Sequence, residues 1–288
     1  MRAAKDFKDY ELLDSSNGEK LERFGNIVLI RPDPQIIWKT EHKKGLWEKA
    51  DAKYFRSDKG GGSWEFYKKI PDEWKINYDG ATFIIRPTGF KHTGIFPEQA
   101  VNWKWMKEKV KEAGRPIKAL NLFAYTGGAT LALSLAGASV THVDASKGIV
   151  SWARENAAAS GLSERPIRWI VDDCKKFVER EIRRGNKYDC IVLDPPSYGR
   201  GPTGEVFKLE EQIYDLLELV KGVLSDEPLF LLLNSYTTGL GPSVMSYLLS
   251  ETVAKKAPSK VSASEIGIPV SNSDLILPCG NTAICEFI

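Results

Sequence analysis

Cys190-Ile191-Val192-Leu193 running into Asp194-Pro195-Pro196-Ser197-Tyr198 is the stretch on which the fold turns. A short apolar run that ends in Asp-Pro-Pro reads as a buried parallel strand. It delivers a carboxylate and a rigid di-proline to the carboxyl edge of a sheet, where open α/β sheets bind ligands. Neither proline has an N–H and both have a fixed φ, so their carbonyls can point outward as acceptors. A carboxylate beside such carbonyls suits an amine or a ring nitrogen. The alternative is a proline-terminated strand with Asp194 as a turn former.

Outward from this stretch, apolar runs alternate with amphipathic ones. Ala119–Phe123, Ser139–Asp144, Ile167–Val171, Tyr188–Leu193 and Pro228–Leu233 read as strands one to five. Thr130–Leu135, Ile149–Ala159, Lys175–Arg184 and Leu209–Leu224 have helical spacing between them. Repeated β-α units imply a parallel sheet with right-handed crossovers. The tail differs: Val261–Ile266 and Thr282–Ile288 flank a turn-rich Pro269–Gly280, which suggests two final strands, antiparallel. Composition breaks near residues 86–100. Before the break, Ile27–Ile30 and Ala81–Ile85 are strand candidates, separated by Arg31-Pro32-Asp33-Pro34, Asp58–Ser63 and Tyr78-Asp79-Gly80. The expected organisation is a small β-rich N-terminal region, residues 1–90, and an α/β domain, residues 91–288.

The whole chain sets bounds. It has 288 residues and a formal net charge of +2, so nucleic-acid affinity requires a local patch. No run of 18 apolar residues is present, and no membrane span is expected. Met1-Arg2-Ala3-Ala4-Lys5-Asp6 lacks an apolar signal core. The four cysteines show no CxxC spacing, so neither a disulfide framework nor a metal site is expected, and a reducing cytoplasm is the simplest compartment. Oligomeric state is not readable.

The candidate site is a series of strand ends. Strand one leads into Ala124-Tyr125-Thr126-Gly127-Gly128, whose glycines allow a tight turn and close approach to a ligand. A G-x-G-x-x-G fingerprint is absent, because Phe123 and Tyr125 fill two of its glycine places. That disfavours a pyrophosphate dinucleotide and hence a nicotinamide dehydrogenase. Asp144, ending strand two before Ala145 and Ser146, is placed for ribose hydroxyls or for helix capping. Asp173, before Cys174, can meet an adenine amino group or cap the next helix. Tyr198 can stack on a planar acceptor or simply pack. Arg200 and Lys208 can meet phosphate or carboxylate, or remain solvated loop charges.

At these residues the chain resembles the class I S-adenosylmethionine-dependent methyltransferases, and within them the subgroup of large-subunit ribosomal RNA methyltransferases. Phe123-Ala124-Tyr125-Thr126-Gly127-Gly128 resembles that subgroup's first motif and Asp194-Pro195-Pro196 its fourth. Lys91–Gln99, with Thr93 and Phe96, resembles the hairpin that helps enclose its cofactor. The resemblance covers residues 85–288. It implies a Rossmann-like sheet of order 3-2-1-4-5-7-6, one strand of the final pair antiparallel, with S-adenosylmethionine as cofactor and RNA, ribosomal or its precursor, as partner. Asp194, Pro195 and Pro196 are the implied catalytic residues.

One departure matters. Cytosine-C5 members carry a nucleophilic cysteine after strand five, where this chain has Asn234-Ser235-Tyr236-Thr237. Ring-carbon attack needs a thiolate. Cys190 and Cys285 fall inside strands; Cys279 is the one thiol placed to fold back toward the site. Direct transfer to nitrogen is therefore favoured, with Tyr236 near the acceptor. Residues 38–75 interleave aromatics with lysines, which suits either looped RNA or an aromatic core. The competing functions are a protein or small-molecule methyltransferase and a non-catalytic RNA-binding protein that keeps the fold.

Overall fold

The computed structural model describes residues 1–43, 45–57, 61–200 and 206–288, with Arg200 described in its backbone alone. Lys44 of the aromatic and lysine-rich stretch, Asp58, Lys59 and Gly60 of the Asp58–Ser63 turn signal, and the side chain of Arg200 lie outside the described residues. The chain forms two compact units. One comprises residues 3–100 and 267–279; the other comprises 1–2, 101–266 and 280–288. The first thus extends past residue 90 and also takes in a segment of the tail.

After a two-residue strand β1 (Arg2–Ala3), the first unit builds a five-stranded sheet from β2 (Tyr10–Ser16), β3 (Glu19–Phe24), β4 (Ile27–Pro32), β5 (Ala52–Arg56) and β6 (Gly62–Phe66), in that spatial order. A separate hairpin joins β7 (Trp74–Tyr78) to β8 (Ala81–Ile85). Its turn is Asp79-Gly80, both at positive φ (48° and 86°), the geometry that matches strand twist. Leu12, Leu21, Leu29 and Ala52 are fully buried beneath the sheet. Glu22 is buried too, gripped by Arg31 at 2.7 and 2.8 Å and by the Tyr10 hydroxyl at 2.7 Å.

The second unit carries helix α1 (Ala100–Glu112), then β9 (Lys118–Leu122), α2 (Gly128–Leu135), β10 (Ser139–Asp144), α3 (Lys147–Ala159), β11 (Ile167–Val171), α4 (Cys174–Arg183) and β12 (Cys190–Leu193). A short hairpin, β13 (Tyr198–Arg200) and β14 (Val206–Lys208), precedes α5 (Leu209–Lys221), β15 (Phe230–Ser235), α6 (Pro242–Glu251), β16 (Ser259–Pro269) and β17 (Ile276–Phe287). The sheet runs β1-β16-β17-β15-β12-β9-β10-β11. Leaving out β1 at the edge, this is the expected order 3-2-1-4-5-7-6. Strands β11, β10, β9, β12 and β15 are parallel, and β17 is antiparallel to β15. Every residue of β12 and β15 is buried, as expected for strands covered on both faces. The core joins Leu120, Leu122, Ile191, Leu193, Leu231 and Leu233 to apolar faces of α4 and α5.

Register positions the site. Leu122 lies beside Val143 on one flank and Leu193 on the other, and Leu193 beside Leu233. The loops after β9, β10, β12 and β15 therefore leave the same edge of the sheet. Two expectations change. Helix α1, the 198–208 hairpin and α6 were not anticipated. The segment Pro269–Gly280, expected to be turn-rich, keeps its turn at residues 271–274 but is half strand: β16 runs to Pro269 and β17 begins at Ile276. Pro278 is tolerated because the ladder between β17 and β15 stops at Asn281, so its missing N–H costs no bond to β15.

Candidate cofactor and acceptor site

The loop after β9 holds unusual backbone. Phe123 (φ 55°) and Tyr125 (φ 49°) are left-handed, a conformation that costs a side-chain-bearing residue about 1–2 kcal/mol each. These are the first and third places of the six-residue glycine spacing; the sixth, Gly128, keeps its glycine. The strain is held from several directions. The Phe123 N–H donates to Cys174 Sγ (3.2 Å), the Ala124 N–H to the Val143 carbonyl (3.1 Å) and the Tyr125 N–H to Asp144 Oδ2 (3.0 Å). Asn156, fully buried on α3, donates its amide to the Thr126 carbonyl at 2.9 Å. Gly127 (φ 90°) begins α2, and a Cβ on Gly128 would overlap the indole of Trp103.

Asp144 is the pivot of this loop. Its two oxygens accept separate N–H groups, Tyr125 at 3.0 Å and Ser146 at 2.9 Å. Helix α3 is capped by Ser146, whose Oγ accepts from Ile149, so Asp144 is not spent as the cap. Each carboxylate oxygen keeps capacity for another donor. Burial pushes its pKa up, against the pull of the two N–H groups. A half-buried acid that holds a strained loop while offering acceptors fits the ribose diol of a nucleoside. Ala145 and Ser146 are exposed beside it.

Asp173 is an exposed N-cap: its Oδ1 accepts from the Lys176 N–H at 2.8 Å. The capping alternative is thus realised, with the second oxygen left for an amino group. Asp172 pairs with Arg180. Cys174 is buried under the loop as the acceptor for Phe123, and burial drives its thiol pKa far upward.

The corner after β12 is built differently. The Asp194 N–H reaches the Leu122 carbonyl at 3.4 Å; Pro195 is buried and Pro196 exposed. Ser197 ties the corner down: its carbonyl accepts from Leu209 (3.1 Å) and its hydroxyl accepts from Thr237 Oγ1 (2.6 Å). The loop after β15 is thereby fastened to the Asp-Pro-Pro corner. Half-buried Tyr236 lies against Gly280, where a Cβ would come within 2.8 Å of its ring. Tyr198 is 53% exposed and pairs across the hairpin with Lys208. Lys208 is exposed and bonded to Glu211 at 2.8 Å, the solvated-charge alternative. Phe207 packs on Phe123, centroids 5.8 Å apart.

Thr93 and Phe96 belong to the unit of residues 3–100. Thr93 is fully buried, and its hydroxyl has no hydrogen-bond partner among the described residues. Phe96 is half-buried against His92, centroids 5.0 Å apart. Sequence reasoning did not single out Asn156, Trp103 or Thr237. Asn156 alone left a trace, as a polar residue inside the buried stripe of α3.

A parallel sheet of this order, a tight loop after its first strand and an acid after its second define a nucleoside-cofactor transferase of the class I type. A family model described as S-adenosylmethionine-dependent methyltransferase matches residues 52–283, and the chain belongs to that family. Its cofactor is S-adenosylmethionine. The solved SAM-dependent methyltransferase from Agrobacterium tumefaciens is 39% identical, covering 99% of this chain and 92% of that one, with TM-score 0.93. A methyltransferase solved in complex with SAH shares the fold at 17% identity and TM-score 0.74, covering 98% of this chain and 76% of that chain. The ribosomal RNA large subunit methyltransferase K/L of Shewanella frigidimarina is 38% identical over 137 residues, 46% of this chain and 18% of that protein. The chain thus spans about a fifth of the curated relatives it matches.

Proposed function

We propose that this enzyme methylates a nitrogen of RNA, ribosomal RNA or its precursor being the leading substrate. The cofactor, when bound, supplies an electrophilic methyl group on a sulfonium. Asp144 holds the ribose hydroxyls, the 124–128 loop and Gly128 leave room for the methionine portion, and Asp173 with Cys174 borders the adenine. Asp194 and the carbonyl of Pro195 accept N–H groups of the acceptor and aim its lone pair, so that positioning and water exclusion carry the rate. Pro196 stiffens the corner, and Tyr198 and Tyr236 are offered to a planar acceptor. Thr93 and Phe96 are assigned to the cofactor by the motif they share with the subgroup.

The observation that carries nitrogen over ring carbon is the state of the thiols. All four cysteines are free and buried, and burial raises the pKa of each. Cys279, the one candidate for folding back, lies in β17 with Sγ on the Leu277 carbonyl at 3.4 Å. None is poised as a thiolate. Buried free thiols also suit a reducing compartment, and we place the enzyme in the cytoplasm. RNA is supported by the named function of the Shewanella relatives.

Residues 1–90 are proposed to help select the substrate. The aromatics of residues 38–75 serve mostly as core: Trp47 and Tyr54 are buried, and Trp38, Trp64 and Trp74 donate their indole N–H to backbone carbonyls. Phe55 and Phe66 are exposed but stand on opposite faces of the β5–β6 pair. Tyr67 is exposed as well, so few aromatics of this stretch are free to stack, and selection draws on other groups of that unit too.

The test is methyl transfer from labelled cofactor onto total RNA and total protein, followed by nucleoside analysis. N-methyl nucleosides are expected. Label in 5-methylcytidine would overturn the nitrogen assignment, and label confined to protein would overturn the RNA assignment.

A further inference from the structure

The unit of residues 3–100 and 267–279 contains a cleft of about 290 Å³ to which no role attaches in the preceding sections. That is near the lower bound of about 300 Å³ for small-molecule pockets, enough for one nucleoside-sized group. Its apolar walls include Leu12, Pro97, Ile268 and Pro269, with edges of Phe7 and Tyr10. Lys5 and Lys8 stand exposed on the rim, and neither forms an ion pair among the described residues.

The turn that carries Lys8 is fixed. Arg23 Nη2 donates to the Lys8 carbonyl (3.1 Å) and Nη1 to the Gly25 carbonyl (2.8 Å). The Gly25 N–H donates to the Asp9 carbonyl (2.7 Å), and Asp9 Oδ2 accepts the backbone and side-chain N–H of Asn77 at 2.8 and 3.2 Å. The acid of the cleft is Glu11. Its Oε1 accepts the Ser271 hydroxyl at 2.5 Å and its Oε2 accepts Arg23 at 3.0 and 3.1 Å. The Ser271 bond, with Arg23, keeps its carboxyl below the usual range. It therefore stays an acceptor, and Oε1 has capacity for one more donor.

We infer that this cleft is an RNA subsite that takes one unpaired nucleotide: an amino-bearing base between the apolar walls, its amino group on Glu11, and its flanking phosphates on Lys5 and Lys8. This rests on the RNA reading above. Amino groups of bases are natural partners for a carboxylate acceptor. Phosphates are natural partners for lysines that no carboxylate neutralises. Uracil, which lacks the amino donor, is the disfavoured base.

The test uses the full chain and single-stranded oligo(C) and oligo(U) RNA, with total-RNA methylation and SAH binding measured alongside. Wild type is expected to bind oligo(C) about tenfold more tightly than oligo(U), the worth of one good base contact. The exposed double variant Lys5→Glu/Lys8→Glu should lose about tenfold in RNA affinity. Its log–log salt slope should fall by about 1.4, the share of two single-strand phosphate contacts. SAH affinity and melting temperature should not change. Unchanged RNA affinity and slope in the double variant, with wild type still methylating RNA, overturns the subsite and leaves the RNA reading standing. Equal binding of the two oligonucleotides overturns the role of Glu11. Wild type that neither binds nor methylates RNA overturns both readings.

Discussion

The loop after β9 and the corner after β12 stand beside each other on one sheet edge, yet they are made rigid in opposite ways. The first is strained and braced: two side-chain-bearing residues at positive φ, held by Asp144, Cys174 and Asn156. The second is stiff by covalent constraint, since two prolines fix φ without any partner. Bracing suits a ligand that is always the same nucleoside. A proline corner, open at Pro196 and Tyr198, suits an acceptor that comes and goes as part of a larger molecule.

That contrast can be broken by substitution. Asp194→Ala should cut methyl transfer by at least about 100-fold, the scale of a lost catalytic group, while SAH binding measured by calorimetry stays within about twofold. Normal turnover would remove Asp194 from the reaction. Asp144→Ala should do the reverse. Loss of its charge-assisted bonds, about 1.5–3 kcal/mol each, should weaken SAH by tenfold or more and relax the loop. Intact affinity would show that the loop does not depend on its brace.

Acid probes the same brace from beneath. His142 is fully buried on β10, its Nδ1 2.9 Å from Thr130 Oγ1. Burial, with Arg154 nearby, lowers its pKa to about 3. Unfolded, the imidazole takes a proton near its ordinary 6.5; folded, it stays neutral. The unfolded state thus binds more protons between about pH 6.5 and 3, and stability falls as pH falls through that window. Denaturant melts of His142→Asn should show a slope shallower by up to one proton there, and an identical slope would contradict the buried neutral ring. A smaller effect is expected at Asn156→Ala: about 1–3 kcal/mol of stability and a few-fold loss of SAH affinity, read by melting shift. The smallest belongs to Lys208→Ala, whose solvent-screened pair with Glu211 adds little, so melting temperature and kcat should both stay at the wild-type values.

The most legible parts of the fold were those where burial dictates residue type. Ser139–Asp144 and Ala81–Ile85 were bounded as they are found, because strands covered by packing show as apolar runs. Ile167–Val171 is an edge strand with no fully buried residue, and it was legible from its β-branched and aromatic side chains instead. Helix α1 was missed although Trp103, Met106 and Val110 keep a helical spacing after Pro97, because lysines and a glutamate thin the buried apolar stripe to one residue per turn. The 198–208 hairpin has three-residue arms, too short for any period. In the site, types and spacing announced Asp144, Asp194 and the glycine pair. What holds them was harder to see: Asn156, Thr237 and Trp103 come to the edge from elements distant in the chain, and they meet a backbone carbonyl, the Ser197 hydroxyl and a bare glycine respectively.

Gly128 pressed against Trp103 gives the enzyme a built-in optical probe. The indole forms the floor of the first turn of α2, directly behind the loop proposed to receive the nucleoside. A chain in which the other seven of its eight tryptophans are replaced by phenylalanine would report ligand binding at that loop as a change in emission, without any attached dye.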